Sequence, residues 1–179
     1  THLGHDNMYK FVGQDGTRVR ARFTCAAEGD AYMIQRIHDL IKPPDHVYHL
    51  GDVAIRREYL KLLCRAPGKW RLLWGNHDIY DWKSYREVGF EKCMATRKFD
   101  KLILSHYPIH PLSVPEWCHA NVHGHIHERA TYPGKYINMC VEVRNYEPVE
   151  LDQVIEEAKR LVTERGSPPP PQLVLKLRA

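Results

Sequence analysis

The spacing of apolar positions changes twice along this chain, and the changes mark out its elements. Met33, Ile34, Ile37, Leu40 and Ile41 recur at helical spacing from Asp30 onward, and Pro43-Pro44 cannot continue that helix. Residues 46–50 then form a short run that reads as a buried strand, and residues 70–74 form another. A helix over about 57–65 separates them. Strand, helix, strand in this order predicts parallel pairing, with a site in the loops at the strands' C-terminal ends. Beyond residue 90 the pattern shortens, and residues 92–99, 101–105, 120–123 and 136–143 read as strands joined mostly by loops and turns. The expected fold is α/β with α+β character: two sheets packed face to face, flanked by helices.

The ends of the chain carry weaker patterns. Residues 11–29 read as a loop region with a short polar hairpin turning at Gly13, Gln14, Asp15 and Gly16. Leu151, Val154, Ile155, Ala158, Leu161 and Val162 make one helical stripe, with Gly166 placed as its C-cap. That helix is expected to pack on a sheet. Residues 167–171, a serine and four prolines, predict a stiff polyproline spacer, and the alternating residues 173–177 suit an edge strand or a surface segment. The division expected is one domain over 1–166 and a Pro-rich tail over 167–179.

Bulk composition narrows the class. A chain of 179 residues, 43% hydrophobic and 27% charged, fits one globular domain with a substantial core. No apolar run approaches the length of a membrane span, so no membrane partner is expected. The net charge of +4 is scattered, which suits anionic substrates. Nucleic acid is not supported as a partner, because no basic stripe with interleaved aromatics is present. Five cysteines without C-x-x-C spacing predict a cytoplasmic protein without disulfides, its thiols acting as small buried apolar groups.

Twelve histidines are many for this length, and several gather where apolar runs end. Gly51-Asp52, Gly75-Asn76-His77-Asp78 and Gly124-His125-Ile126-His127 place imidazole, carboxylate and carboxamide groups at strand-to-loop junctions. Nitrogen and oxygen donors without thiolates suit Zn, Mn, Fe or Ni. Their convergence from separate loops suggests a two-metal hydrolytic centre, in which a carboxylate such as Asp52 bridges the ions.

With Thr1-His2-Leu3-Gly4-His5 and Ser105-His106-Tyr107-Pro108, these motifs follow one another in the order of a known pattern, D-x-H, G-D, G-N-H-D/E, H, G-H-x-H, of which only the first Asp is not among the residues. In this the chain resembles the calcineurin-like metallophosphoesterases over roughly residues 1–150. Tyr48-His49-Leu50-Gly51-Asp52 and the run from Asn138 to Pro148 look like the small phage and bacterial members. The resemblance implies a β-sandwich with helices on its outer faces. It also implies a phosphoesterase that hydrolyses phosphomonoesters or phosphodiesters through a hydroxide bridging two divalent ions, manganese favoured. His2, Asp52 and His127 would hold one ion, and Asp52, Asn76, His106 and His125 the other. The same pattern places an Asp two positions before His2, at the end of an apolar strand ahead of Thr1.

His77 is the expected proton donor to the leaving group, since an imidazole titrates near operating pH. Asp78, next in the chain, is expected to fix that ring's tautomer. His5 is a candidate to support a ligand or touch substrate; Arg56, Arg57 and His110 are candidates for substrate contacts. His49 and His123 read as hydrogen-bonded structural residues, and Tyr80, Trp82 and Trp117 as loop anchors. The expected substrate is a small phosphate ester such as a nucleotide, bound in an open site because a cap domain has little room. A reading from a different class is a non-catalytic scaffold on the same fold with an incomplete metal site. That reading tolerates loss of the proton donor, and here Asn76-His77-Asp78 is intact.

Overall fold

The computed structural model describes residues 1–13 and 15–163, so Gln14, Gly166 and the tail expected over 167–179 lie outside the described residues. Helix α1 spans Ala26–Leu40 and buries Met33 and Ile37. It starts ahead of the Asp30 predicted, because Glu28 accepts both the backbone N–H and the hydroxyl of Thr24 at 2.7 Å and secures the first turn. That turn has no apolar periodicity to announce it.

Strands β1 (His46–His49), β2 (Lys69–Leu73) and β3 (Phe90–Met94) form a parallel sheet in that order. A second sheet runs β4 (Thr96–Phe99), β5 (Leu102–Ser105), β6 (Ala120–His123) and β7 (Tyr136–Asn138). In it β4 is antiparallel to β5, and β5, β6 and β7 are parallel. The two leucines that end β2 show how the sheets share a core, because successive side chains of a strand face opposite ways. Leu72 packs with Met33 and Ile37 of α1, while Leu73 packs with Leu102, Leu104, Val122 and Ile137. Helix α3 (Leu151–Thr163) buries Val154 and Ala158 in that second cluster. The protein is thus mixed α/β, with two sheets and flanking helices.

Four expectations need correction. The run 92–99 is two strands in different sheets, parting at Ala95 with no Gly or Pro to signal the break. The helix expected over 57–65 is present, but it is wound as a 3₁₀ helix and ends at Leu63 (Arg57–Leu63). Trp82–Glu87 is a short helix α2 where a loop was expected; Asp81 caps it by accepting the Ser84 N–H at 2.8 Å. The strand predicted over 136–143 stops at Asn138, and Val141–Val143 is a 3₁₀ turn. Asn138 breaks the ladder: its Oδ1 accepts the Cys140 N–H, and its carbonyl accepts the Arg144 Nε–H at 2.8 Å.

The hairpin in the loop region survives as a single antiparallel bridge, Val12 to Arg18. The cysteines are not uniformly buried: Cys118 and Cys140 are, but Cys25, Cys64 and Cys93 are exposed, and no disulfide forms. No helix among the described residues is long and apolar enough to cross a membrane. Beside β1 lies a cavity of about 580 Å³, walled by Met33, Ile37, Val47, Leu104, Val122 and Met139, and bordered by Thr1 and His2.

Candidate metal centre

Two parallel strands from each sheet lead to one place, and each hands over residues singled out in the sequence. β1 leads to Asp52, β2 to Asn76 and His77, β5 to His106, and β6 to His125 and His127. The turns that aim them are tight. A Cβ on Gly75 would lie 2.6 Å from the Asp52 nitrogen, and one on Gly51 would lie 2.7 Å from the Leu73 carbonyl oxygen, so only glycine lets these backbones approach. Among the described residues eight non-glycines have positive φ, and four of them are His2, Asp52, His125 and His127. Left-handed backbone costs a non-glycine residue about 1–2 kcal/mol. Its concentration here marks a constrained site.

His106 is the most informative ligand candidate. It is buried, and its Nδ1 lies 2.7 Å from the Leu50 carbonyl oxygen. A carbonyl only accepts, so Nδ1 carries the proton and donates it. In the neutral ring Nε2 then presents a lone pair, and it faces Asp52 Oδ2 at 3.3 Å and Asn76 Oδ1 at 2.9 Å. Burial alone would raise the Asp52 carboxyl, but the His77 N–H that donates to its Oδ1 is among the contacts that hold it low. Three electron-rich atoms therefore meet at one point, an arrangement that a cation relieves.

A divalent ion fits these donors. Asp52, His106 and His125 each offer an atom within 4.8 Å of the others. Burial lowers the pKa of His125, with the neighbouring His106 adding to it, which favours the neutral form that ligates. His2 faces the same oxygen of Asp52, its Nε2 3.4 Å from Oδ2, and its ring is stacked on His127 at 5.1 Å. Burial pushes the His2 pKa well down too, and His2 Nδ1 is buried without a hydrogen-bond partner among the described residues.

The structure also shows residues that the sequence reading passed over. Glu142, in the 3₁₀ turn after β7, sets its Oε1 3.3 Å from His127 Nδ1. Arg20, fully buried, donates to the same Oε1 from Nε at 2.9 Å and reaches the Thr1 carbonyl at 2.8 Å and the Tyr9 hydroxyl at 3.1 Å. Half-exposed Tyr107 packs edge-on against His125, ring centroids 4.6 Å apart. Glu142 lies in the run from Asn138 to Pro148 already noted, whereas nothing about an arginine in a polar hairpin advertised Arg20.

Asp78 does not take the role expected of it. Its carboxylate accepts the backbone N–H groups of Asp52, Val53 and Gly75 at 2.8–3.0 Å and the Tyr85 hydroxyl at 3.3 Å. It clamps together the turns that carry Asp52 and Asn76; it does not orient the His77 ring. His77 itself is exposed, held by its own N–H to Asp52 Oδ1 at 2.8 Å, with its ring 5.1 Å from that of His2.

The remaining candidates divide. His5 sits beside the cluster, its ring 5.7 Å from His2, and burial lowers its pKa. Arg56 is drawn away: its guanidinium lies over Tyr59 and pairs with Asp6 and Glu58. Arg57 is exposed at the start of the 3₁₀ helix. His110 caps a separate 3₁₀ turn, accepting the Leu112 N–H at 3.3 Å. His49 and His123 are buried and hydrogen-bonded, to the Gly51 N–H and to Thr131 Oγ1 respectively. Tyr80 and Trp82 pack on the core as anchors, while Trp117 lies on the surface with Lys98 over its ring.

Comparison with known proteins places relatives around this fold without naming a chemistry. No family model matches the sequence. The uncharacterized protein MJ1445 of Methanocaldococcus jannaschii is 29% identical over 169 residues, covering 87% of this chain and 86% of its own. A crystal structure of AQ665 from Aquifex aeolicus, a protein of unknown function, is similar with a TM-score of 0.66 and 25% identity, covering 87% of this chain and 94% of its own. Neither relative carries a described activity, so the chemistry rests on this chain's own residues.

Proposed function

We propose that this protein is a calcineurin-like metallophosphoesterase that hydrolyses small phosphate esters at a dinuclear centre built around Asp52. The observation that carries the proposal is the convergence of the His106 Nε2 lone pair, the Asp52 carboxylate and the Asn76 carboxamide oxygen on one point. Asp52 Oδ2 is also 3.4 Å from His2 Nε2, so one carboxylate oxygen faces both His106 and His2. Asp52 would be the ligand that two ions share. Divalent ions held there would supply an activated water and offset the charge that develops on the phosphoryl oxygens. Donors of this kind admit Mn, Fe, Zn or Ni, and we favour manganese.

The chain's residues then divide the work. His106 is pinned by Leu50 so that Nε2 stays free, and Asp78 keeps the Asp52 and Gly75 turns in register. His77 stands at the exposed mouth, its backbone anchored to Asp52 while its ring is left to give a proton to a departing alkoxide. Tyr107 and His5 flank the cluster and are placed to touch the ester's organic part.

Purified protein assayed on bis(p-nitrophenyl) phosphate and on nucleoside monophosphates tests the reading. Turnover that requires added Mn and stops with chelator supports it. Absence of turnover from protein carrying bound metal counts against it and revives the scaffold alternative.

A further inference from the structure

We propose that Glu142 and Arg20 are a positioning pair for the His2–His127 side of the centre, an inference that rests on the metal reading above. A carboxylate accepts and does not donate, so the 3.3 Å contact from Glu142 Oε1 assigns the ring proton of His127 to Nδ1. Nε2 is then the nitrogen left for an ion. Carboxylates that hold a ligating histidine in this way fix its tautomer and ring orientation and raise its basicity.

Arg20 completes the device. It has no exposed surface, and its Nε and Nη2 both lie 2.9 Å from Glu142 Oε1. Nη2 also donates to the Thr1 carbonyl at 2.8 Å, the peptide that leads into His2, and Nη1 donates to Tyr9 Oη at 3.1 Å. One guanidinium thus ties the backbone beside His2 to the carboxylate beside His127, whose rings stack at 5.1 Å. Stability alone does not explain the pair. A buried ion pair is commonly matched or bettered by apolar residues of similar volume. A requirement to hold two imidazoles in one geometry explains both its burial and its position.

The test compares Mn binding by the full chain and its Glu142→Gln variant, by calorimetry with chelator competition. One of the two ions should bind about tenfold to a hundredfold more weakly in the variant, the other within about threefold of wild type. Loss of both ions in parallel, or of neither, overturns the assignment. Should the variant fail to fold, ¹H–¹⁵N imidazole spectra of the metal-free wild type decide, assigned with His127→Gln. The proton on His127 Nδ1 is expected, and a proton on Nε2 overturns the proposal. A wild type that binds no Mn sinks the metal reading, whereas a wild type that binds two ions beside an unaffected variant sinks this inference alone.

Discussion

Asp78 Oδ2 accepts the backbone N–H of Asp52 at 2.8 Å, across a sequence separation of 26 residues. The same oxygen takes the Gly75 N–H at 2.8 Å, and Oδ1 takes that of Val53 at 3.0 Å. Asp78→Ala strands three buried N–H groups at about 1–3 kcal/mol each. Urea unfolding should show a loss of at least about 3 kcal/mol. A variant within about 0.5 kcal/mol of wild type, the range of an ordinary surface change, would show that the clamp is dispensable.

Metal should act as a folding ligand. An ion that binds the folded chain alone stabilises it by about 2.7 kcal/mol at one hundred times its dissociation constant. Thermal unfolding with and without Mn should therefore show a rise that chelator reverses and His106→Ala abolishes. His110→Ala, on its separate 3₁₀ turn, should keep the rise. An equal Mn response in the His106 variant would place the ion elsewhere.

Close approach makes Gly75 a structural requirement of the site. An added methyl would press on the Asp52 nitrogen at 2.6 Å and on His106 Cε1 at 2.9 Å, two groups that are backbone or pinned ring. Gly75→Ala should cost about 1–3 kcal/mol of stability and weaken Mn binding in the same protein. Unaltered Mn affinity in that variant, read by calorimetry, would show that the Asp52–His106 spacing is not what the ion senses.

Acid should weaken the fold partly through Glu142. Burial alone would raise its carboxyl, but the His127 hydrogen bond and the Arg20 charge outweigh it and hold the folded-state pKa below the ordinary 4.5. A depressed carboxyl contributes stability that is complete above the unfolded value and is lost as pH falls through the folded one. Metal-free Glu142→Gln should be less stable than wild type by about 3 kcal/mol at neutral pH, and the gap should narrow once pH drops below that of the unfolded carboxyl. Urea titrations at neutral pH and near pH 3 read both numbers; a constant gap contradicts the assignment.

Legibility in the sequence followed the range of the interactions involved. Asp52, Asn76, His106, His125 and His127 stood out because each follows a short apolar run, and an apolar run that ends at a polar group is visible without any tertiary contact. The parallel sheet followed from the same alternation. Asp78 was placed correctly beside the site but given the wrong partner, since its carboxylate answers backbone donors from turns distant in sequence. Arg20 was invisible for a related reason: an arginine between polar neighbours reads as solvated, and only the fold shows it without exposed surface. The break at Ala95 escaped because strand propensity continues across it, and only the change of partner from β2 to β5 ends one strand and begins the next.

The measurement closest to the central claim is the turnover of His77→Ala loaded with Mn, compared with wild type of equal metal content. A proton donor contributes about 10²–10⁴ in rate where the leaving group is a poor one. An alkyl ester such as a nucleoside monophosphate should therefore lose at least about a hundredfold, while bis(p-nitrophenyl) phosphate, whose leaving group departs with little help, loses less. Equal rates for variant and wild type on both esters, or a wild type that holds its metal and turns over neither, would contradict the account.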